Sequence, residues 1–136
     1  MDRDLLIKQA EELINNNGEE WVRCAIGRAY YYLYHNAIMF TNGRIPNTGR
    51  NGERLNGGMH KKLQEYFSFH CDDGLMGAYN PELLKKLGVF LKLQHSRRLD
   101  ADYRLFLKID PTVARSSIRD IKKMVHDIES ELSKSK

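Results

Sequence analysis

Leu5, Leu6, Ala10, Leu13 and Ile14 recur at helical spacing at the start of the chain, and Asn15-Asn16-Asn17-Gly18 breaks the pattern. A longer pattern runs from about Glu19 to Thr41 and is closed by Asn42-Gly43. A third helix is predicted after Gly57-Gly58, with Leu63, Tyr66 and Phe67 inward and an end near His70. Asn80-Pro81-Glu82 starts a fourth: a capping side chain, a proline in the first turn and an acid at the positive helix end. Its stripe of Leu83, Leu84, Leu87, Phe90 and Leu91 predicts a helix to the mid-90s, or through Arg98. Asp110-Pro111 opens the last helix in the same way, and Ala114, Ile118, Ile121, Val125, Ile128 and Leu132 carry its stripe towards the C-terminus.

No alternation of period two competes with these helices. Helices with one apolar face each must bury those faces against one another, which predicts an all-α, up-and-down bundle of four to five helices. The 136 residues suit a single domain, 1–136, without repeats. Between the second and third helices, residues 42–58 hold five glycines, Pro46, four asparagines and the arginines Arg44, Arg50 and Arg54. No period is visible, so this is a long loop. Its arginines either reach over a neighbouring surface or keep a mobile loop soluble.

The second helix shows where chemistry belongs. Val22, Ala25, Ile26, Ala29, Leu33, Ala37 and Phe40 share one face, which is core. At about 100° per residue, Arg28 and His35 lie within about 20° of each other, two turns apart and away from that face. Tyr31 and Tyr32 fall on either side of the line joining them. A guanidinium, an imidazole and two phenols on one exposed ridge offer phosphate pairing, proton transfer and stacking. Tyrosine and arginine are equally at home in a subunit interface. A second polar cluster, Arg97, Arg98, Asp102, Tyr103 and Arg104, ends the fourth helix, where Arg98 and Asp102 have the spacing of an intrahelical ion pair. It is either structural or a patch for RNA or a nucleotide. His60 opens the third helix, either as a hydrogen-bonding residue at the helix end or as a further polar contributor to the site.

Composition narrows the classes. The net charge of +4 is mild and compatible with a phosphate-rich partner. No apolar run approaches the roughly 18 residues that span a bilayer, so no membrane is expected. The charged start Met1-Asp2-Arg3-Asp4 is unlike a secretory leader, which points to the cytoplasm. Cys24 and Cys71 read as ordinary thiols. His70-Cys71-Asp72-Asp73 has metal-capable side chains but no second cluster, and neither a metal nor any other cofactor is expected.

Three blocks give the chain a resemblance to the HEPN family: Arg28-Ala29-Tyr30-Tyr31-Tyr32-Leu33-Tyr34-His35, the run His60-Lys61-Lys62-Leu63-Gln64-Glu65-Tyr66-Phe67, and Arg97-Arg98-Leu99-Asp100-Ala101-Asp102-Tyr103. They stand in the family's order over nearly the whole chain. The resemblance implies a helical bundle, usually a homodimer. It also implies one of two activities. One is a metal-independent endoribonuclease of a toxin–antitoxin or phage-defence system, with Arg28 and His35 as the catalytic pair. The other is a non-catalytic module that binds a nucleotide or a partner, such as a minimal nucleotidyltransferase or an antitoxin. Tyr31, Tyr32, His60, Arg97, Arg98, Asp102 and Tyr103 are then the residues that contact RNA or nucleotide. Arg54–His60 and Arg119–His126 have similar spacing, but Arg54 lies in the glycine-rich loop and the second pair on the polar side of the last helix.

Overall fold

Capping side chains start the last two helices where the sequence places them. In the computed structural model, which describes residues 1–41, 43–49, 51–70 and 80–134, five helices follow in order: α1 (Asp4–Leu13), α2 (Glu19–Phe40), α3 (Met59–Phe69), α4 (Pro81–Tyr103) and α5 (Pro111–Lys134). The Asn80 side chain accepts from the backbone N–H of Glu82 at 3.0 Å, and Asp110 accepts from Thr112 at 2.8 Å. Each satisfies a donor that the first turn leaves without an intrahelical partner. Among the described residues, no helix is long and apolar enough to cross a membrane.

The architecture is an all-α bundle with α2 at its centre. α2 packs on α1, α4 and α5, and meets α3 over a short stretch; α3 lies mainly against α4. The core holds Ile26, Leu33, Leu63, Phe67, Leu84, Leu87, Leu91, Ile121 and Ile128, all almost fully withdrawn from water. Burying such a side chain is worth about 1.5–3 kcal/mol, so this core dominates the stability. Ala25, Ala29 and Ala37 are also fully buried on α2 and let its neighbours come close. Where α3 meets α4, Gly88 faces Ser68 so tightly that any Cβ there would collide with the Ser68 backbone.

α4 ends at Tyr103, beyond the reach expected of its apolar stripe. No glycine or proline interrupts the sequence there, and a side chain from α2 receives the helix end. Arg23 donates from Nη1 to the carbonyls of Asp100 and Ala101, both at 3.0 Å, and more weakly to Arg104 at 3.4 Å. Its Nη2 reaches Glu19 at 3.1 Å and the Leu107 carbonyl. Glu19 in turn accepts from the Ile109 N–H at 2.9 Å. That bond and the Arg23 charge hold the Glu19 carboxyl below its ordinary range. Two residues of α2 thus fasten both the end of α4 and the turn leading to α5.

The glycine-rich segment is anchored rather than featureless. Thr48 and Arg54 form an isolated antiparallel bridge, and the Leu55 N–H donates to Asn47 at 2.9 Å. Leu55 is only 3% exposed and plugs into the core. Gly49 sits over the His70 ring, where a Cβ would come within 2.5 Å, and Glu53 pairs with His70 at 3.5 Å. Arg44 and Arg54 face solvent, whereas Asn42 and Arg50 lie outside the described residues.

Candidate functional site

Because α2 is packed on several sides, little of it meets water. Past the exposed Glu19 and Glu20 at its start, its exposed residues, Trp21, Cys24, Arg28, His35 and Met39, fall with half-buried Tyr31 on a strip about 80° wide at 100° per residue. Arg28 and His35 occupy the middle of that strip. Arg28 makes no hydrogen bond or ion pair with any described residue. The His35 ring lies against Tyr31 (centroids 6.2 Å apart, 28° between planes) and Tyr34 (5.4 Å, edge to face).

Tyr31 links the strip to α4. Its hydroxyl accepts from Arg98 Nη2 at 3.0 Å, and the guanidinium lies 5.2 Å from the Tyr31 ring centroid. The same guanidinium is 5.9 Å from the ring of Tyr103, which is well exposed, and it pairs with Asp102 at 2.9 Å. Arg98 is therefore held between two aromatic rings and a carboxylate, and the i, i+4 pair expected of Arg98 and Asp102 is formed.

Two residues leave this face. Tyr32 was expected on the exposed ridge, but it is only 9% exposed. One residue past Tyr31 it has turned about 100°, onto the side covered by the start of α1. Burial and the carboxylates of Asp4 and Glu129 push its phenol above the ordinary value. Arg97 points the other way from Arg98 and donates to Ser117 on α5 at 2.9 Å. Neither residue belongs with Arg28 and His35.

His60 is neither a helix-end cap nor an open imidazole. Its Nδ1 lies 2.6 Å from the hydroxyl of buried Tyr30, and its ring packs 4.5 Å from Tyr34. It also stacks on His95, with centroids 4.7 Å apart and 14° between planes. Burial, followed by the His95 and Arg98 charges, lowers the His60 pKa to about 4. Burial and Arg98 lower His95 as well, while burial and Tyr34 raise Tyr30. At neutral pH both groups are therefore uncharged, and the His60 tautomer decides which of them donates across the Tyr30 hydroxyl–Nδ1 contact.

His95 and Tyr30 had no part in the functional ridge expected from the sequence. A signal for His95 was available: Leu84, Gly88, Leu91, His95, Arg98 and Asp102 follow one line down α4 at steps of three and four. The line changes from apolar to polar where it leaves the core and borders the strip.

The other arginine–histidine spacings are not pairs in space. Arg119 bonds to its neighbour Asp120, and His126 borders the hollow beside Tyr32. Of the metal-capable run, His70 pairs with Glu53, while Cys71, Asp72 and Asp73 lie outside the described residues. The assembled face can hold a phosphate at Arg28, stack a planar group beside Tyr103 and Arg98, and move a proton at His35. The chain matches no family model, no curated protein and no solved structure.

Proposed function

We propose that this chain is a HEPN-type, RNA-acting domain that binds RNA on the exposed strip of α2 and cleaves it without a metal. One observation carries the reading. Among the arginines of α2 and the end of α4, Arg23, Arg97, Arg98 and Arg104 are all engaged by protein groups, whereas Arg28 has no partner among the described residues and shares the strip with His35. A free guanidinium on a ridge of aromatic rings is suited to a phosphodiester.

In this reading Arg28 binds the scissile phosphate and stabilises the charge that builds on it. His35 takes the proton of the ribose 2′-hydroxyl or protonates the leaving oxygen. The two residues are two turns apart, about 10.5 Å along the axis, so the long arginine side chain must lean towards the imidazole. His60 supplies no acid at neutral pH, because its Nδ1 is bound to Tyr30 and its pKa is lowered to about 4. Cleavage that uses both an acid and a base therefore calls for a second copy of the chain, with two strips facing one cleft.

A second reading follows from the same count. One chain puts one imidazole on the strip, which is enough for a non-catalytic module that holds a nucleotide, or a partner such as a nucleotidyltransferase. A direct experiment separates the two. The purified protein is incubated with total RNA in EDTA beside His35→Ala and Arg28→Ala. Cleavage lost in His35→Ala with RNA affinity retained supports the ribonuclease. Binding without cleavage in the wild type favours the module, and neither binding nor cleavage overturns both RNA readings.

A further inference from the structure

Beside His95, α3 and α4 leave between them a groove of about 610 Å³. Its long sides are apolar: Phe69 is 70% exposed and Val89 67% exposed, both large side chains facing water at the groove. Its floor is narrow because Gly88 brings the helices together at Ser68. Lysines rim it. Lys85 and Lys92 make no ion pair with any described residue, and Lys61 reaches Glu65 only at 3.9 Å. One more group points to an occupant. Gln64 lines this groove, and its amide nitrogen is buried with no acceptor among the described residues.

We infer that this groove receives an acidic amphipathic helix of another protein. Apolar walls call for a partner with an apolar stripe. Unpaired lysines along the rim select carboxylates beside that stripe, since matched potentials favour one partner over others. If the Gln64 side chain turns towards the groove, its amide nitrogen gains an acceptor on the same helix, a carboxylate or side-chain amide oxygen, and ceases to be unsatisfied. From Lys85 to Lys92 the rim runs about 10.5 Å, or two turns, so a helix of three turns covers the groove. Such a helix would end against His95, which also stacks on His60. The inference does not depend on assigning the α2 strip to RNA, and it concerns a different face.

The test uses the full chain and a fluorescein-labelled synthetic peptide of about 15 residues, held helical by a side-chain staple on its polar face because an unconstrained peptide of this length is marginal as a helix. The probe has leucine at steps of three and four and glutamate elsewhere; a control probe has lysine in place of every glutamate. Fluorescence anisotropy is read for the wild type, Val89→Glu and the double variant Lys85→Glu/Lys92→Glu, with circular dichroism confirming an unchanged fold. All three substituted residues are exposed, so folding is expected to persist. Saturable binding of the acidic probe, weakened at least about tenfold by either variant and absent for the lysine probe, supports the inference. Equal affinity for both probes, or binding that survives Val89→Glu, overturns it. So does self-association of the chain that Val89→Glu abolishes, because the occupant is then a second copy. Binding of an oligouridylate that the lysine variant abolishes overturns it too, because the groove is then an RNA path.

Discussion

Acid should loosen this protein before its carboxylates titrate, and His60 is the reason. An unfolded chain presents His60 at its ordinary value of 6.5, whereas the folded chain holds it at about 4. As pH falls through 6.5 the unfolded state takes up a proton that the folded state refuses, so stability drops between about 6.5 and 4. At 1.36 kcal/mol per unit, the fall from pH 7 to pH 5 has an upper bound of about 2 kcal/mol. His60 is only half-buried, and solvent screening reduces that bound to about 1 kcal/mol. His95 is lowered for similar reasons and adds a loss of the same sign. Glu19 and Asp110, whose carboxyls are held low, lose their contributions only at more acid pH and do not confuse this window. The assay is urea unfolding at pH 7 and pH 5 for the wild type and His60→Asn, whose neutral amide can donate to or accept from the Tyr30 hydroxyl. The wild type should lose about 1 kcal/mol more than the variant on acidification. An equal loss in both proteins would refute the argument that burial and charge at His60 drive the effect.

Three further outcomes follow from the geometry. Arg23→Met keeps the aliphatic stem but removes the donors to Asp100 and Ala101, with a cost of about 2–3 kcal/mol. Calorimetry should show this as a Tm lower by about 8–12 °C. Leu55→Ala empties a core position filled from the glycine-rich segment and should cost about 2–4 kcal/mol in chemical unfolding, with faster proteolysis between α2 and α3. Arg28→Ala, by contrast, should leave stability within about 0.5 kcal/mol of wild type while weakening RNA retention in a filter-binding assay about tenfold.

Hydrophobic period and capping residues were enough for the helices, because both act within a few residues. Asn80-Pro81 and Asp110-Pro111 start helices where the sequence predicts them, and the expected core face of α2 is buried. The end of α4 was less legible, since Arg23 lies 77 or more residues from the carbonyls it serves. Tyr32 shows the same limit: periodicity gives its angle on α2, but the start of α1 decides whether that angle sees water. Leu55 carried a faint signal, as one of two large aliphatics, with Ile45, in a polar segment. At the candidate site, the Arg98–Asp102 pair was legible because it is local. The Tyr30–His60–His95 contacts were not, because they join three helices whose packing no single stretch specifies.

Arg23 has one more consequence, which concerns sliding rather than strength. Its guanidinium engages a knot of carbonyls that exists only where a helix stops. A shift of α4 along α2 by a single residue, about 1.5 Å, would carry that knot out of reach. Arg23 therefore acts as a depth stop. It sets how far α4 is inserted, and hence which residue of α4 arrives opposite Tyr31. A side chain with no place on the exposed strip thus determines that Arg98 is the residue that meets it.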